Sequence, residues 1–291
     1  MDLKEFKDKI LKAAFTSTFR LKLIENLIKE HFMTLPIPTV DLHQPFLARC
    51  RYNRNGEVFG NVSQLSYNPV KKNITLQRCN YARQQVFYGA ISSKTSQASI
   101  MSTAIVETCM EYIKQDDVDS HYLTLSRWQI KRPLSVFILP YAKDSISKNE
   151  DFKKAKNNYD QILTDLTKND TVKLNHLKSS LEFISEIFCK YENKANYYKI
   201  SSAYFNFIMQ AAERKNIQID GLVYPSANTE AAGMNIVLKK DIVDDGTIYC
   251  DRAIMYKGLR NRRQFKNFMF ADASNESIVD ANKKIFFSAI W

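Results

Sequence analysis

The N-terminal part of the chain is amphipathic. Apolar residues recur at helical spacing from Leu3 to Ile28, with charged residues between them. Two prolines shortly afterwards end this pattern, because proline lacks the amide hydrogen that a helix interior needs. We therefore predict a helical extension over residues 1–40, followed by a main domain over residues 41–291.

The main domain mixes strand and helix patterns. From residue 46 to about residue 90, aromatic and β-branched runs alternate with turn residues, and a helical pattern follows over 98–114. Residues 141–196 are rich in Lys, Asn and Asp and carry one amphipathic stripe, formed by Leu177, Leu181, Ile184 and Phe188. This stretch predicts a helical insertion packed on the main domain, with a partner-docking helix as the alternative. Further strand patterns make the expected fold class α+β.

The composition indicates the class of protein and the cellular compartment in which we expect it. Of its 291 residues, 45% are hydrophobic and 25% charged, which is ordinary for a globular protein. No apolar run resembles a signal peptide or approaches the roughly 18 residues of a membrane span. The five cysteines form no CxxC pair and the four histidines lack ligand spacing. We expect a cytoplasmic protein with no disulfide framework, no structural metal and no membrane partner.

The net charge of +11 attracts anions such as nucleic acid, acidic proteins or phosphorylated small molecules, although it also serves solubility. A basic segment near the C-terminus is interleaved with aromatic residues. Its members are Lys257, Arg260, Arg262, Arg263 and Lys266, with Phe265, Phe268 and Phe270. Such segments can follow phosphates and stack on bases, so a nucleic-acid-binding protein is the alternative function. The plainer interpretation is a solvated segment whose aromatic rings dock on the domain.

One carboxylate lies within an apolar helical pattern. Nine of the fourteen residues from Ile100 to Ile113 are apolar, and Glu107 lies among them. A carboxylate in such a helix is costly unless it is paired or faces a cleft. An ion pair with an arginine and a cleft-facing catalytic group are both compatible with this pattern.

Several cationic and aromatic residues could accompany that carboxylate. Arg49 and Arg51 alternate on a predicted strand and so share a face, and Arg78 lies in a polar, turn-like segment. Guanidinium groups bind phosphate oxygens in pairs, although lone strand arginines often make structural ion pairs. Tyr88 ends an apolar strand and could stack on a cationic ring or belong to the core. Ser226 follows a strand in a turn, where it could bind a ligand or its own backbone.

Taken in order, the short motifs of this chain resemble the RES-domain family over residues 45–255. They are Arg49 or Arg51, Ser66-Tyr67-Asn68-Pro69, Arg78-Cys79-Asn80, Tyr88, Glu107, Asp220 to Ser226, and Gly233 to Asn235. The chain departs from the family pattern at Gln77, where the family has glycine, and in the two added helical segments.

The resemblance implies an ADP-ribosyltransferase-like fold, with a split, curved β-sheet core and flanking helices. Family members are toxins of bacterial toxin–antitoxin pairs that consume NAD by hydrolysis or phosphorolysis, or that transfer ADP-ribose to a protein. The resemblance therefore implies an enzyme with NAD as substrate, a possible phosphate co-substrate and a small helix-turn-helix antitoxin. A homodimer is also possible, and nucleic acid would be only an indirect partner.

The resemblance also assigns roles to residues. Arg49 and Arg78 would hold the pyrophosphate or a phosphate co-substrate, and Tyr88 would pack on the nicotinamide. Glu107 would stabilise the ribosyl cation or orient the ribose 2′-hydroxyl. Cleavage of an N-glycosidic bond passes through an oxocarbenium-like state, which a positioned carboxylate stabilises. The further candidates for NAD binding are Arg51, Asn80, Tyr67, Ser226, which would line the pocket, and Asn235. An inactive module that binds NAD without turnover is a third possibility.

Overall fold

The computed structural model describes residues 1–16, 20–54, 57–93, 98–113, 120–168, 170–260 and 268–287. The helices are α1 (Leu3–Phe15), α2 (Leu21–Phe32), α3 (Val62–Leu65), α4 (Ile100–Ile113), α5 (Lys143–Lys148), α6 (Glu150–Thr167), α7 (Thr171–Cys189), α8 (Lys194–Arg214) and α9 (Asp241–Asp244). The strands are β1 (Val40–Leu42), β2 (Phe46–Asn53), β3 (Val86–Ile91), β4 (Ser120–Ile130), β5 (Leu134–Ile138), β6 (Gly221–Pro225), β7 (Met234–Lys239), β8 (Ile248–Arg260), β9 (Phe268–Asp272) and β10 (Ser277–Ile278).

The strands form one mixed sheet in the order β1-β5-β6-β7-β3-β2-β4-β8-β10, and β9 also pairs with β8. Strands β5 and β6 run parallel, whereas the other pairs that the structure describes are antiparallel. The expected α+β class is therefore confirmed. The stretch 1–40 holds α1 and α2, and the stretch 141–196 holds α5, α6 and α7, as the helical patterns predicted.

The sheet is nearly interrupted between its two central strands. Strand β2 pairs with β4 along its whole length, but its register with β3 is limited to Ala48 opposite Ala90. The two strands come close there, since a Cβ atom added at Gly89 would lie 3.2 Å from the Ala48 carbonyl oxygen. Away from this point no ladder joins them, so the backbone leaves room for side chains between the two parts of the sheet.

The helices cover the sheet from two sides of this gap. The largest hydrophobic cluster joins α1, α2, α7 and α8 to strands β5, β6 and β7, with Phe32 packed edge-on against Tyr204 at a centroid distance of 5.3 Å. A smaller cluster packs Ile105 and Cys109 of α4 against β2 and β4. Helix α4 therefore packs mainly on β2 and spans the gap to contact β3, β4 and β7, while α1, α2, α7 and α8 cover the part of the sheet that ends at β3.

The start of β6 is fixed by an ion pair and a close backbone contact. The carboxylate of Asp220 is 3% exposed and accepts two hydrogen bonds from Arg132, at 2.6 and 3.0 Å. At the next residue, a Cβ atom on Gly221 would lie 2.0 Å from the Val237 carbonyl oxygen. Of the Asp-Gly pair of the sequence motif, the aspartate thus fixes β6 to Arg132 and to β5, and the glycine allows its close approach to β7.

The basic, aromatic C-terminal segment is only partly described. Lys257 and Arg260 belong to β8, and Phe268 and Phe270 belong to the antiparallel strand β9. Residues 261–267, which hold the remaining members of the segment, lie outside the described residues. The nucleic-acid alternative therefore stays a prediction.

We expect Gly221→Ala to destabilise the protein by about 3 kcal/mol or more, because the new methyl group would collide with rigid backbone rather than with a flexible side chain. Urea-induced unfolding measures this change. Gly60→Ala is the matched control, since a Cβ atom there meets nothing within 4 Å. Equal stability of the two variants would contradict the packing described for β6.

A histidine is enclosed where α2 meets α1 and α7. The His31 ring stacks on Phe6 at a centroid distance of 3.9 Å, and its Nε2 lies 2.8 Å from Ser180 Oγ. Because Ser180 donates its only hydroxyl hydrogen to the His176 carbonyl oxygen, His31 is the donor in this bond. Burial, and secondarily the nearby His176, lowers the pKa of His31 from 6.5 to about 4. The folded protein therefore holds this ring neutral at a pH where an unfolded histidine is already protonated.

Because the folded pKa of His31 lies below the unfolded value, this ring makes the protein lose stability as the pH falls from about 6.5 towards 4. For a partly buried ring we expect a loss of about 1–2 kcal/mol between pH 7 and pH 5. In His31→Gln, which keeps a donor for Ser180, urea unfolding should show a correspondingly smaller pH dependence. His43→Gln, at an exposed position, should retain the wild-type dependence.

Candidate active site

A cavity of about 630 Å³ opens where β2 and β3 separate. Its walls come from β2, β3, the segment 75–78, α4, the junction of α7 with α8, and the β6–β7 region. Five of the residues singled out from the sequence line it, namely Arg49, Arg78, Tyr88, Glu107 and Asn235. Residues far apart in the chain are thus brought together at one place.

Glu107 is held by neutral hydrogen-bond donors. Its Oε1 accepts from Ser226 Oγ at 2.5 Å and from Asn235 Nδ2 at 2.9 Å, and its Oε2 accepts from Asn228 Nδ2 at 2.9 Å. None of the ion pairs found in the described part of the chain involves Glu107, so the predicted arginine partner is not observed there. Three neutral donors fix the orientation of the carboxylate without cancelling its charge.

The backbone around these donors allows α4 to come close. A Cβ atom on Gly233 would lie 2.4 Å from Thr103 Oγ1 of α4, so a side chain at this position would push the helix away. The amide of Ser226 donates to the Gly233 carbonyl at 2.9 Å, which ties the end of β6 to the start of β7. Glycine at 233 therefore lets Ser226 and Asn235 both reach Glu107.

Ser226 itself does not line the cavity, contrary to the sequence-based expectation. Its side chain is fully buried behind Glu107, where its hydroxyl hydrogen is used by the carboxylate. The residue that faces the cavity from this turn is Asn228, which the sequence analysis missed. Its position two residues after the Tyr-Pro-Ser motif was the only signal, and many turns contain asparagine.

Tyr88 is anchored by the motif that precedes it. Its hydroxyl donates to Asn80 Oδ1 at 2.9 Å and accepts from the Cys79 amide at 2.9 Å. Asn80 is in turn held by the carbonyl oxygens of Thr75 and Tyr81. Burial raises the pKa of Tyr88 well above its ordinary value. Asn80 therefore holds Tyr88 in position and does not itself line the cavity. Its expected role in NAD binding would require it to do so.

Arg49 bridges the gap in the sheet. Its guanidinium donates to the carbonyl oxygens of Leu65 at 2.9 Å, Ser66 at 3.2 Å and Tyr88, and it lies 5.1 Å from the centroid of the Phe87 ring. Burial, and secondarily Arg51, lowers the pKa of Arg49 to about 9, which still leaves it charged at neutral pH. Arg49 thus lines the cavity, but three of its N–H donors are already bonded to backbone carbonyl oxygens.

Arg78 is a buried cation at the same cavity. It is 7% exposed, donates to the Phe188 carbonyl oxygen, and lies 5.3 Å from the Tyr198 ring and 6.0 Å from the Tyr224 ring. None of its contacts in the described residues is an ion pair with a carboxylate. The aromatic rings thus shield the guanidinium from water while leaving it without a bonded counter-charge.

Two predicted binding residues lie away from the cavity. Arg51 shares a strand face with Arg49, but it donates to the Gln64 carbonyl oxygen at 2.5 Å and packs over the Phe59 ring. Tyr67 is hydrogen-bonded to Asp244 Oδ1 at 2.5 Å. Neither lines the cavity with the other candidates, and their assignment to NAD binding stays a prediction. Sequence alternation gives the face of a strand, but two residues along it shift a side chain by roughly 7 Å.

The end of the helical insertion and the first turns of α8 supply a wall that the sequence analysis did not foresee. Tyr191, Lys194 and Tyr198 line the cavity from the junction of α7 with α8, and Tyr224 lines it from β6. Tyr224 belongs to the Tyr-Pro-Ser motif, but the first three carried no local signal. Only the docking of α8 onto the sheet places them beside Arg78.

No protein-family model matches the sequence, and no curated protein matches it either. In the described part of the chain, no group of three His, Cys, Asp or Glu side chains could hold a metal ion. Over the same residues, no helix has the length and apolar character needed to cross a membrane.

We expect Tyr88→Phe to cost about 1–3 kcal/mol of stability, because it leaves the Cys79 amide and Asn80 Oδ1 without their buried partner. Tyr249→Phe, at a side chain that is 44% exposed, is the control and should change stability by less than about 0.5 kcal/mol. Urea unfolding of both variants checks the difference. A Tyr88→Phe variant as stable as wild type would show that this hydroxyl does not anchor the site.

Proposed function

We propose that this chain is an NAD-consuming enzyme that cleaves the nicotinamide–ribose bond. The observation that carries the proposal is Glu107, an oriented carboxylate with no ion-pair partner among the described residues, in a cavity that also contains Tyr88 and Arg78. The cavity volume of about 630 Å³ lies within the usual range for small-molecule sites, roughly 300–1,000 Å³.

The fold supports the same proposal. The resemblance to the RES-domain family implies an ADP-ribosyltransferase-like split sheet, and the near interruption between β2 and β3 is compatible with such a split. The cavity lies at this interruption, and its lining combines motif residues from β2, β3, α4 and β7. We further propose that the protein acts as a toxin in a bacterial toxin–antitoxin or defence system, with a small helix-turn-helix antitoxin as partner.

The proposed reaction begins with heterolysis of the bond between ribose C1′ and the nicotinamide nitrogen. The bonding electrons stay with the nitrogen, so the cationic pyridinium leaves as neutral nicotinamide and the positive charge moves to the ribose. Glu107 stabilises this oxocarbenium-like state or orients the ribose 2′-hydroxyl. Ser226, Asn228 and Asn235 keep the carboxylate in place, so it need not reorganise as charge develops.

Tyr88 offers an aromatic face to the departing ring, and its anchored hydroxyl limits rotation of that face. The acceptor then attacks C1′ through oxygen or another nucleophilic atom and releases a proton. Water gives ADP-ribose, inorganic phosphate gives its phosphorylated form, and a protein side chain gives an ADP-ribosylated protein. All three acceptors belong to the proposed reaction class.

We expect wild-type protein to release nicotinamide from NAD and Glu107→Ala to lose at least about a thousandfold in rate, because the cation would lack its stabilising charge. The assay follows nicotinamide by chromatography, with and without phosphate and with labelled NAD in a cell extract. Glu213→Ala, at an exposed position on α8, is the matched control. Circular dichroism and the melting temperature verify that each variant is folded.

Absence of nicotinamide release and of labelled acceptor under all these conditions would overturn the proposal. NAD binding without turnover would point to an inactive NAD-binding module instead. Full activity of Glu107→Ala would show that NAD is cleaved by other residues, and the assignment of Glu107 would fall.

A further inference from the structure

The cavity carries more positive charge than the proposed cleavage step itself needs. Bond heterolysis calls for a carboxylate near the ribose, whereas Arg78 and Lys194 line the same cavity from other elements. Arg78 comes from the segment before β3, and Lys194 is the first residue of α8, at the end of the helical insertion. The family resemblance gives Arg78 a role in phosphate binding, whereas it gives no role to Lys194.

We propose that Lys194 joins Arg78, to which the family resemblance already assigns phosphate binding, in a phosphate subsite flanked by Tyr191 and Tyr198, and that this subsite binds the diphosphate of a nucleotide substrate. The inference rests on the proposed function in that it names the part of the substrate that this end of the cavity holds. It makes the helical insertion a component of substrate recognition.

Arg78 has the bonding capacity for such a ligand. A guanidinium carries five N–H donors, and the described contacts of Arg78 use one of them, towards the Phe188 carbonyl oxygen. A cation that is only 7% exposed and has no carboxylate within bonding distance among the described residues is costly to bury. A phosphate group would offset that cost, because its oxygens match the guanidinium fork.

Lys194 adds a second positive charge, and it lies at the N-terminus of a helix, where backbone amides favour an anion. Burial, and secondarily the charge of Arg78, lowers the pKa of Lys194, which agrees with two cations that face one space. Helix α8 begins at Lys194, and its N-cap residue Asn193 makes no capping hydrogen bond with its side chain. The first amides of this 21-residue helix are thus near the cavity and favour an anion there.

Arg49 is less suited to the same task, although the sequence motif assigned phosphate binding to it. Its guanidinium already donates to the carbonyl oxygens of Leu65, Ser66 and Tyr88. Release of those bonds would leave backbone acceptors unpaired at the gap between β2 and β3. Of the two arginines to which the resemblance assigns phosphate binding, Arg78 therefore keeps this role and shares it with a lysine outside the family motifs.

Binding of ADP tests the subsite without requiring turnover. Calorimetric titration should show that ADP binds wild-type protein and that Lys194→Ala binds it at least about tenfold more weakly, because one charge-assisted contact is lost. Lys194→Arg should keep most of the affinity. Lys190→Ala, which removes the same charge from an exposed position nearby, should bind ADP like wild type.

Steady-state cleavage separates this proposal from the one on which it rests. Lys194→Ala should raise KM for NAD by about tenfold relative to wild-type protein. Its KM for nicotinamide riboside, which has no phosphate, should stay within about twofold of the wild-type value. If wild-type protein binds ADP through Lys194 but cleaves neither compound, the subsite stands and the proposed function fails. If wild-type protein cleaves NAD and Lys194→Ala matches it in KM and ADP affinity, the subsite is refuted and the proposed function stands.

Discussion

The architecture of the site depends on one guanidinium that replaces a missing strand ladder. Where β2 leaves β3, the Tyr88 carbonyl faces a gap instead of a neighbouring strand, and Arg49 donates to it and to two carbonyls at the C-terminal end of α3. Buried backbone acceptors are costly when unpaired, so this arrangement keeps the sheet open without that cost. The opening is the space in which the cavity forms.

A second constraint is the way in which charge is distributed across that opening. Glu107 is surrounded by amide and hydroxyl donors, whereas Arg78 is surrounded by aromatic rings and one carbonyl. Both charges are therefore oriented but not neutralised by an ion pair within the described residues. Such an arrangement suits a ligand that is cationic at one end and anionic at the other, as a nicotinamide dinucleotide is, and this is why the proposals for the two ends support each other.

The added helices are part of this arrangement rather than a separate layer. Helices α1 and α2 pack on α7 and α8 in the same hydrophobic cluster as strands β5, β6 and β7. Lys199 of α8 also donates to the Ala14 carbonyl of α1, which fixes the first turns of α8 relative to the N-terminal helices. The position of Lys194 and Tyr198 at the cavity thus depends on packing that begins more than 180 residues earlier in the chain.

The sequence by itself determined the α+β class, the helical nature of both added segments and five of the residues that line the cavity, because each leaves a local periodicity or an ordered motif. Tertiary structure alone decided which of these residues meet. Arg49 and Arg51 are equivalent by alternation, yet only the former lies where β2 and β3 separate. Lys194 has no local signal, because its role arises from the docking of a helix onto a distant sheet. Long-range packing is not encoded in the periodicity of any one segment, and so the site became visible only in three dimensions.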